Sequence, residues 1–241
     1  MSALASVPDT RPLAGRVVLV VGAHGGLGRA LALACARAGA TQVLLGRSAR
    51  KLERVADAVE QAGGEALLYP LDLEGASPDD YAELAARIGE RFGRLDGLVH
   101  CAADFPGLTP LEHADPAGFA RTVHVGLTAR WWLSQACLPL LRASDAGRLV
   151  FLADPAPAAA PAYWGGYGIV QPAIEALAAT LQAETATSPL RVHVLRPGPL
   201  RTPLRARAYA ADGDRLARDP AAAADDCIAL LAPGPDPAAA P

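Results

Sequence analysis

The sequence predicts an α/β fold with one doubly wound parallel sheet of six to seven strands and helices on both faces. Short apolar segments of strand length alternate along the chain with longer amphipathic segments of helix length. Strands and helices that alternate in this way are joined by right-handed crossovers, so the sheet is parallel and both of its faces are covered. A glycine cluster directly follows the first strand, and no linker divides the chain internally. We therefore predict a single domain over residues 1–232 and a disordered Pro/Ala-rich tail over 233–241.

The first predicted strand, 17–21, is a run of valine and leucine that ends in a glycine-rich turn. Gly22, Gly26 and Gly28 have the spacing G-x-x-x-G-x-G, and a helical apolar periodicity begins inside this motif. Glycine lets the backbone approach a ligand closely, and a helix N-terminus offers free N–H groups and a partial positive charge. The strand, turn and helix together are typical of a dinucleotide pyrophosphate site. His24 in this turn is either a phosphate contact or an exposed turn residue.

The remaining elements have local start and stop signals. Gly39 follows the first helix, Ser48 can cap the second, Ser77 and Pro78 begin the third, and Gly93 ends it. Together these elements predict a Rossmann-type sheet. Further strands are predicted over 41–45, 66–71, 95–101, 148–153 and 191–196, and further helices over 116–142 and 172–187.

Composition narrows the classes of function. The 241 residues contain 22 Lys and Arg and 25 Asp and Glu, a formal net charge of −3, which argues against a nucleic-acid or anionic-membrane binder. The apolar runs are too short for a membrane span, and the first residues lack the apolar segment of a signal peptide. The four cysteines are scattered and the five histidines have no ligand spacing. We therefore expect a cytoplasmic protein with no metal site.

Several segments resemble the short-chain dehydrogenase/reductase family across nearly the whole chain. The glycine spacing matches the pattern of that family, and Asp72 stands where the family has an aspartate near the adenine ring. Segment 98–103 is similar to the family's L-V-N-N-A-G strand end, and segment 197–202 matches its P-G-x-x-x-T sequence. The resemblance implies a nicotinamide dinucleotide cofactor, held by residues in or beside these segments: Gly22, His24, Gly26, Leu27, Gly28, Arg47, Asp72, Leu73, Ala102, Ala103, Pro197, Gly198 and Thr202.

The residue after the second strand indicates which cofactor is bound. A carboxylate there would hydrogen-bond the ribose 2′-hydroxyl, whereas an arginine accommodates a 2′-phosphate. The second strand is followed by Gly46 and Arg47 rather than by an acidic residue. Arg47 therefore favours NADP(H) over NAD(H), unless it is only a solvated turn residue.

The family's catalytic residues are an asparagine, a serine, a tyrosine and a lysine, and the lysine cation lowers the pKa of the tyrosine. The matching positions here are Gly126, Asp154, Tyr167 and Gln171, so only the tyrosine is retained. An ionised Asp154 near Tyr167 would raise the pKa of the phenol. Asp154 is either a buried acid that takes part in proton transfer or a residue that caps a turn. Gln171 can hydrogen-bond a ribose but carries no charge.

Local sequence places Tyr167 outside a regular helix. Pro172 follows Gln171 directly and suits the first turn of a helix, and the glycines at 165, 166 and 168 are poor helix formers. We therefore expect the helix to begin near Gln171 and Tyr167 to lie in a loop. The sequence also lacks the seventh strand that the family usually has after its last helix.

Two functions from different classes fit these residues. The first is an NADP(H)-dependent oxidoreductase that acts on a small-molecule carbonyl or alcohol with an altered proton-transfer group. The second is an inactive pseudoenzyme that binds NADP(H) and acts through a protein partner. The family resemblance implies a homodimer, and Trp131-Trp132 on the long helix is either an interface anchor or core packing.

Overall fold

The protein has one parallel six-stranded sheet with the strand order β3-β2-β1-β4-β5-β6. The computed structural model describes residues 11–154, 162–209 and 217–234. Every strand pairs in parallel with its neighbours. The strands are β1 Val17–Val21, β2 Thr41–Gly46, β3 Glu65–Pro70, β4 Gly97–His100, β5 Arg148–Leu152 and β6 Arg191–Leu195. The helices are α1 Gly26–Arg37, α2 Ala49–Gln61, α3 Pro78–Phe92, α4 Pro116–Val123, α5 Ala129–Ala143, α6 Gly165–Glu184 and α7 Pro220–Leu231.

Helices cover both faces of the sheet, as predicted. In β1, Leu19 packs in a core cluster with residues of α3, α5 and α6. Its neighbour Val20 points to the opposite face and packs with residues of α1, α2 and α7. Successive side chains of a strand alternate between faces, so a strand buried on both faces is apolar throughout. The chain therefore has two hydrophobic layers, one on each side of a fully buried central strand.

Helix starts in the first half of the chain follow the predicted signals. Ser77 and Asp80 form a capping box, in which the Ser77 N–H donates to Asp80 Oδ2 over 2.7 Å. Gly93 ends α3 in the left-handed conformation, with φ of 69°. Ser48 precedes α2, but its side chain makes no capping hydrogen bond. The bounds of the six predicted strands agree with the structure to within two residues, and the predicted start and stop signals lie at the ends of α1 to α3.

The long helical stretch predicted over 116–142 is present: α4 continues without a break through a π-helical turn over His124–Thr128 into α5. The sequence analysis did not predict the π-helical turn. A π-helical turn inserts a wider hydrogen-bonding pattern into an α-helix and is frequent at functional sites. Gly126 lies in this turn, and a Cβ atom there would be 2.8 Å from Val170 Cγ1 of α6. Close packing between two helices, which local periodicity does not encode, therefore shapes this segment.

The prediction that α6 begins near Gln171 is wrong, and Tyr167 is helical. The helix begins at Gly165 and contains Pro172 in its interior. A proline inside a helix has no backbone N–H, so one intrahelical hydrogen bond is lost and the helix is locally destabilised. Gly166 packs tightly on Phe119 and Thr122 of α4, and the Gln171 side chain donates to the carbonyl oxygen of Tyr167 over 3.0 Å. The tertiary packing of Gly166 and this local hydrogen bond hold the first two turns in helical form.

The C-terminal part of the described chain contains α7, which the sequence analysis did not identify. Asp219 caps this helix by accepting from the Ala221 N–H over 2.8 Å, and Pro220 occupies its first turn. The helix packs against α1, and the described residues form no seventh strand. Most of the predicted tail, 235–241, lies outside the described residues. None of the helices described is both long enough and apolar enough to cross a membrane.

Asp96, just before β4, links neighbouring chain segments at the amino-terminal end of the strands, opposite the glycine turn. Its side chain is 3% exposed, and it accepts hydrogen bonds from the Val17 N–H, the Ser144 hydroxyl and two nitrogens of Arg94. Burial alone would raise the pKa of Asp96, but these hydrogen bonds outweigh burial and hold the pKa below its usual value. The carboxylate therefore stabilises the fold in its ionised form.

We expect Asp96→Asn to lower the free energy of unfolding by about 2 to 3 kcal/mol, because it leaves buried donors poorly partnered. Since the folded pKa lies below the unfolded value, the contribution is present above about pH 4 and is lost as the pH falls further. Denaturant unfolding measured at several pH values between about 3 and 7 tests both the loss of stability and its pH dependence. Exposed Asp145 contacts Arg94 and Arg16 in the same cluster, and Asp145→Asn is the control with a much smaller effect. Equal losses in both variants would contradict the assignment.

Candidate active site

A cleft of about 410 Å³ lies at the carboxyl edge of the sheet. The strand order reverses at β1 and β4, because β2 and β3 lie on one side and β5 and β6 on the other. Connections that diverge from neighbouring parallel strands leave a crevice beyond their carboxyl ends, which is where ligands bind in such sheets. All predicted site residues from both halves of the sequence line this cleft.

The glycine turn packs so closely that side chains do not fit. Gly22 has φ of 78°, and a Cβ atom there would be 2.8 Å from Ala102 Cα at the end of β4. A Cβ atom at Gly28 would be 2.2 Å from the Gly22 carbonyl oxygen, and one at Gly26 would be 2.8 Å from Thr202 Cγ2. The three glycines therefore draw the turn, the β4 end and the segment after β6 together.

The N-terminus of α1 points its free N–H groups toward the cleft. Gly25 precedes the helix, and no side chain caps it. The first N–H groups of a helix have no partner within the helix, so they are available to an anionic ligand. Leu27, in this first turn, and Leu73, after β3, also line the cleft beside the turn. This part of the cleft has the donor set that a pyrophosphate needs.

Basic side chains surround the end of the cleft beyond β2. Arg47 and Lys51 line it, and the side chain of His24 packs directly over Gly46, whose missing Cβ leaves the room. Burial, and then the charges of Lys51 and Arg47, lower the pKa of His24, so this imidazole is neutral at pH 7. Asp72, after the neighbouring strand β3, also lines the cleft and accepts from the Glu74 N–H over 3.2 Å. Two cations, Arg47 and Lys51, therefore lie at the end of the cleft beyond β2.

The other end of the cleft contains a connected hydrogen-bond network. The Tyr167 hydroxyl donates to Asp154 Oδ2 over 2.5 Å. The Asp154 N–H donates to Gln171 Oε1 over 2.9 Å, and Gln171 Nε2 donates to the Tyr167 carbonyl over 3.0 Å. Tyr167 and Gln171 are adjacent on one face of α6, while Asp154 follows β5. All three predicted catalytic positions therefore meet, and each fixes the orientation of the others.

The charge state of this network follows from its surroundings. Burial first, and then the Asp154 carboxylate, raise the pKa of Tyr167 well above its usual value of 10. Arg130 and Arg205 act in the opposite direction on the same phenol. At neutral pH the tyrosine therefore keeps its proton, and its hydroxyl donates a hydrogen bond to Asp154.

Aromatic side chains cluster around Tyr167, and Trp164 in this cluster also lines the cleft. The rings of Phe105 and Trp164 are stacked with centroids 5.0 Å apart, and Phe105 lies 5.2 Å from the ring of Tyr167. The ring centroids of Tyr209 and Trp164 are 6.3 Å apart, and the Arg205 guanidinium lies 4.3 Å from the ring centroid of Tyr209. The segment 197–202 also lines the cleft, with Pro197, Gly198 and Thr202 facing it together with Ala102 and Ala103.

Sequence reasoning missed several cleft residues, among them Lys51, Arg130 and Trp164. Lys51 is the single lysine of the sequence, and it lies in the first turn of α2, four residues after Arg47. This spacing could have indicated that Lys51 lies near Arg47 in the cleft. Arg130 is a charged residue among the apolar positions of α5, and Trp164 precedes the glycine pair before Tyr167. The sequence did not show that Arg130 points inward, because only packing decides which side of α5 faces the site.

The fold, the uncapped helix and the cleft at the reversal point define a nucleotide-binding protein of the Rossmann type. The chain belongs to the short-chain dehydrogenase family of oxidoreductases, since a model of that family matches residues 16–213. YciK of Escherichia coli K12, named an uncharacterized oxidoreductase, is 36% identical over 215 residues, which cover 89% of this chain and 85% of YciK.

Solved structures agree with this membership. A short chain dehydrogenase from Pseudomonas syringae has a TM-score of 0.89 and 36% identity, over 96% of this chain and 95% of that one. A short chain dehydrogenase from Escherichia coli CFT073, complexed with NADPH, has a TM-score of 0.89 and 35% identity, over 93% and 94% of the two chains. These similarities confirm the predicted family and the predicted sheet.

We expect Gly22→Ala to lower the free energy of unfolding by about 3 kcal/mol or more, because the new methyl group must displace the β4 end. Gly63 is a matched control, since its φ is 81° and no atom lies within 4 Å of its Cβ position. Gly63→Ala introduces only the strain of a left-handed backbone conformation, which costs about 1 to 2 kcal/mol. Thermal unfolding without any nucleotide measures both variants. If they lose the same stability, the close approach of Gly22 to Ala102 has no energetic importance.

Proposed function

We propose that this protein is an NADP(H)-dependent oxidoreductase that interconverts a carbonyl and an alcohol, with Tyr167 and Asp154 as its proton-transfer pair. The observation that carries the proposal is the 2.5 Å hydrogen bond from the Tyr167 hydroxyl to Asp154, in the same cleft as the uncapped N-terminus of α1. The NADPH complex of a relative that is 35% identical supports the choice of cofactor.

The residues present fit such a cofactor. The glycines of the first turn leave backbone N–H groups free for the pyrophosphate, and Arg47, Lys51 and neutral His24 would receive a 2′-phosphate. Asp72 and Leu73 would lie beside the adenine. The nicotinamide half would lie against the remaining predicted residues, which are Ala102, Ala103, Pro197, Gly198 and Thr202.

Tyr167 and Asp154 would act as a relay, so that the phenol exchanges one proton for another. When bound, the nicotinamide supplies or accepts the hydride. In the oxidation direction, the alcohol proton moves to Tyr167 Oη while the tyrosine proton moves to Asp154 Oδ2. In the reduction direction, protonated Asp154 returns a proton to Tyr167 as the tyrosine gives its own to the carbonyl oxygen. A phenolate, which burial and Asp154 disfavour here, is then unnecessary.

A second candidate function is a pseudoenzyme that binds NADP(H) and acts through a protein partner. Gln171 favours this reading, because it is an uncharged residue at the position of the family's lysine. The two candidates share the cofactor cleft and differ only in turnover.

Further properties of the chain are part of the same proposal. We infer a single domain over 1–232, a cytoplasmic location and a homodimer built on α5, as the family resemblance implies. Trp131 is 46% exposed and is available for that interface, whereas Trp132 packs inside against His124 and Tyr81.

The cofactor preference is tested by titrating the protein with NADPH and NADH and measuring the heat of binding. We expect tighter binding of NADPH, and we expect Arg47→Ala to raise its Kd about tenfold or more, through loss of a charge-assisted contact. The Kd for NADH should change less than about threefold. Arg50→Ala, an exposed cation on α2 outside the cleft, is the matched control. Equal binding of the two nucleotides would contradict the 2′-phosphate site, and binding of neither would exclude both candidate functions.

The relay is tested with a panel of aldehydes and ketones, with NADPH consumption as the readout. We expect Tyr167→Phe and Asp154→Asn each to lower kcat about a hundredfold or more, since each removes one member of the proton-transfer pair. The Kd for NADPH should stay within about threefold. Exposed Tyr163→Phe and Asp57→Asn are the controls and should keep full activity. Undiminished turnover in Asp154→Asn would overturn the relay, whereas NADPH binding without turnover across the panel would favour the pseudoenzyme.

A further inference from the structure

Arg130 is a buried cation that neither the family resemblance nor the relay explains. Its side chain is 4% exposed, and the described part of the chain offers it no carboxylate within ion-pair distance. A buried charge without a counter-charge is strongly unfavourable unless other groups compensate for it. Burial lowers the pKa of Arg130 to about 10, so the guanidinium is still charged at pH 7. Such a group beside a cleft is a candidate for function.

The guanidinium lies where the strands open into the site. One terminal nitrogen donates to the Leu152 carbonyl at the end of β5 over 3.0 Å, and the other donates to the Ala102 carbonyl after β4 over 2.6 Å. Nε has no hydrogen-bond partner among the described residues. Arg130 lines the cleft with Tyr167 and Asp154, and it is one helical turn beyond Gly126 on the same stretch of helix. It therefore faces the reaction end of the cleft from α5.

The charges around Arg130 leave the tyrosine pair as its natural counter-charge. Cys101 and His100 are the ionisable groups of the β4 end near the guanidinium. Burial raises the pKa of the Cys101 thiol to about 12 and lowers the pKa of His100, so both are neutral. The Tyr167–Asp154 pair, by contrast, holds one negative charge whenever Asp154 is ionised, and Arg205 approaches the same phenol from the segment after β6.

We propose that Arg130 is a positioning residue that supplies, from α5, the positive charge that Gln171 no longer supplies from α6, and that it stabilises negative charge on the Tyr167–Asp154 pair. The inference rests on the proposed function, because it assigns Arg130 to the same proton-transfer pair. A guanidinium suits this position because its planar fork reaches two backbone carbonyls and still leaves charge facing the site. An arginine that only joined the ends of β4 and β5 would not affect ionisation at Tyr167.

The experiment separates these two roles without cofactor or substrate. Tyr167 is replaced by 3,5-difluorotyrosine, whose more acidic phenol ionises in an accessible pH range, and its fluorine NMR shift is titrated with pH. The only fluorinated side chain is then the one at position 167. We expect Arg130→Gln, which keeps hydrogen-bond donors but removes the charge, to lower the ionisation constant of this phenol about tenfold.

An unchanged titration in Arg130→Gln would overturn the proposal. If the Arg130→Gln single variant does not fold, the same comparison is made in the Asp154→Ser background. That background lacks the carboxylate that would otherwise be left without a counter-charge. The expected tenfold difference between Asp154→Ser and Asp154→Ser/Arg130→Gln supports the proposal, and no difference overturns it. The titration needs neither NADPH nor substrate, so a protein that lacks the proposed function would still give this result. Failure of the proposed function is therefore distinguishable from failure of the Arg130 proposal.

Discussion

The close approach of Gly22 to the backbone of Ala102 is the constraint on which the site depends. Neighbouring parallel strands β1 and β4 continue into connections that run in opposite directions, so the two chain segments separate directly beyond this contact. A side chain at Gly22 would force them apart at the wrong point. Because the contact holds, the N-terminus of α1 is aimed along the crevice, and residues distant in sequence share one cleft.

Charge is divided along that cleft in a way that separates binding from chemistry. The end beyond β2 has two exposed cations and a neutral imidazole, a set that attracts a phosphate. The other end holds the Asp154 carboxylate, the Tyr167 phenol and the Arg130 guanidinium in a largely buried part of the cleft. In a low-dielectric environment these three groups affect one another strongly, so a change in one of them alters the ionisation of the others.

Substitutions relative to the family motif are coupled through the structure. A carboxylate at position 154 would oppose a phenolate at Tyr167, but it can itself take the proton that a phenolate would otherwise take. Gln171 loses the family's cation and instead holds the Asp154 N–H and the Tyr167 carbonyl in place. The site is therefore a differently charged but fully connected network, and its residues are best understood as a set rather than as single losses.

The sequence alone determined the sheet and the glycine turn, because strand periodicity, glycine spacing and capping residues are local signals that the fold obeys. Only the tertiary structure decided where α6 begins, since contacts of Gly166 with α4 outweigh the local penalty of Pro172. It also decided that Asp154 meets Tyr167 and that Arg130 faces the cleft. Local sequence does not specify such contacts, because they depend on how separate helices pack on one sheet and on which groups that packing removes from water.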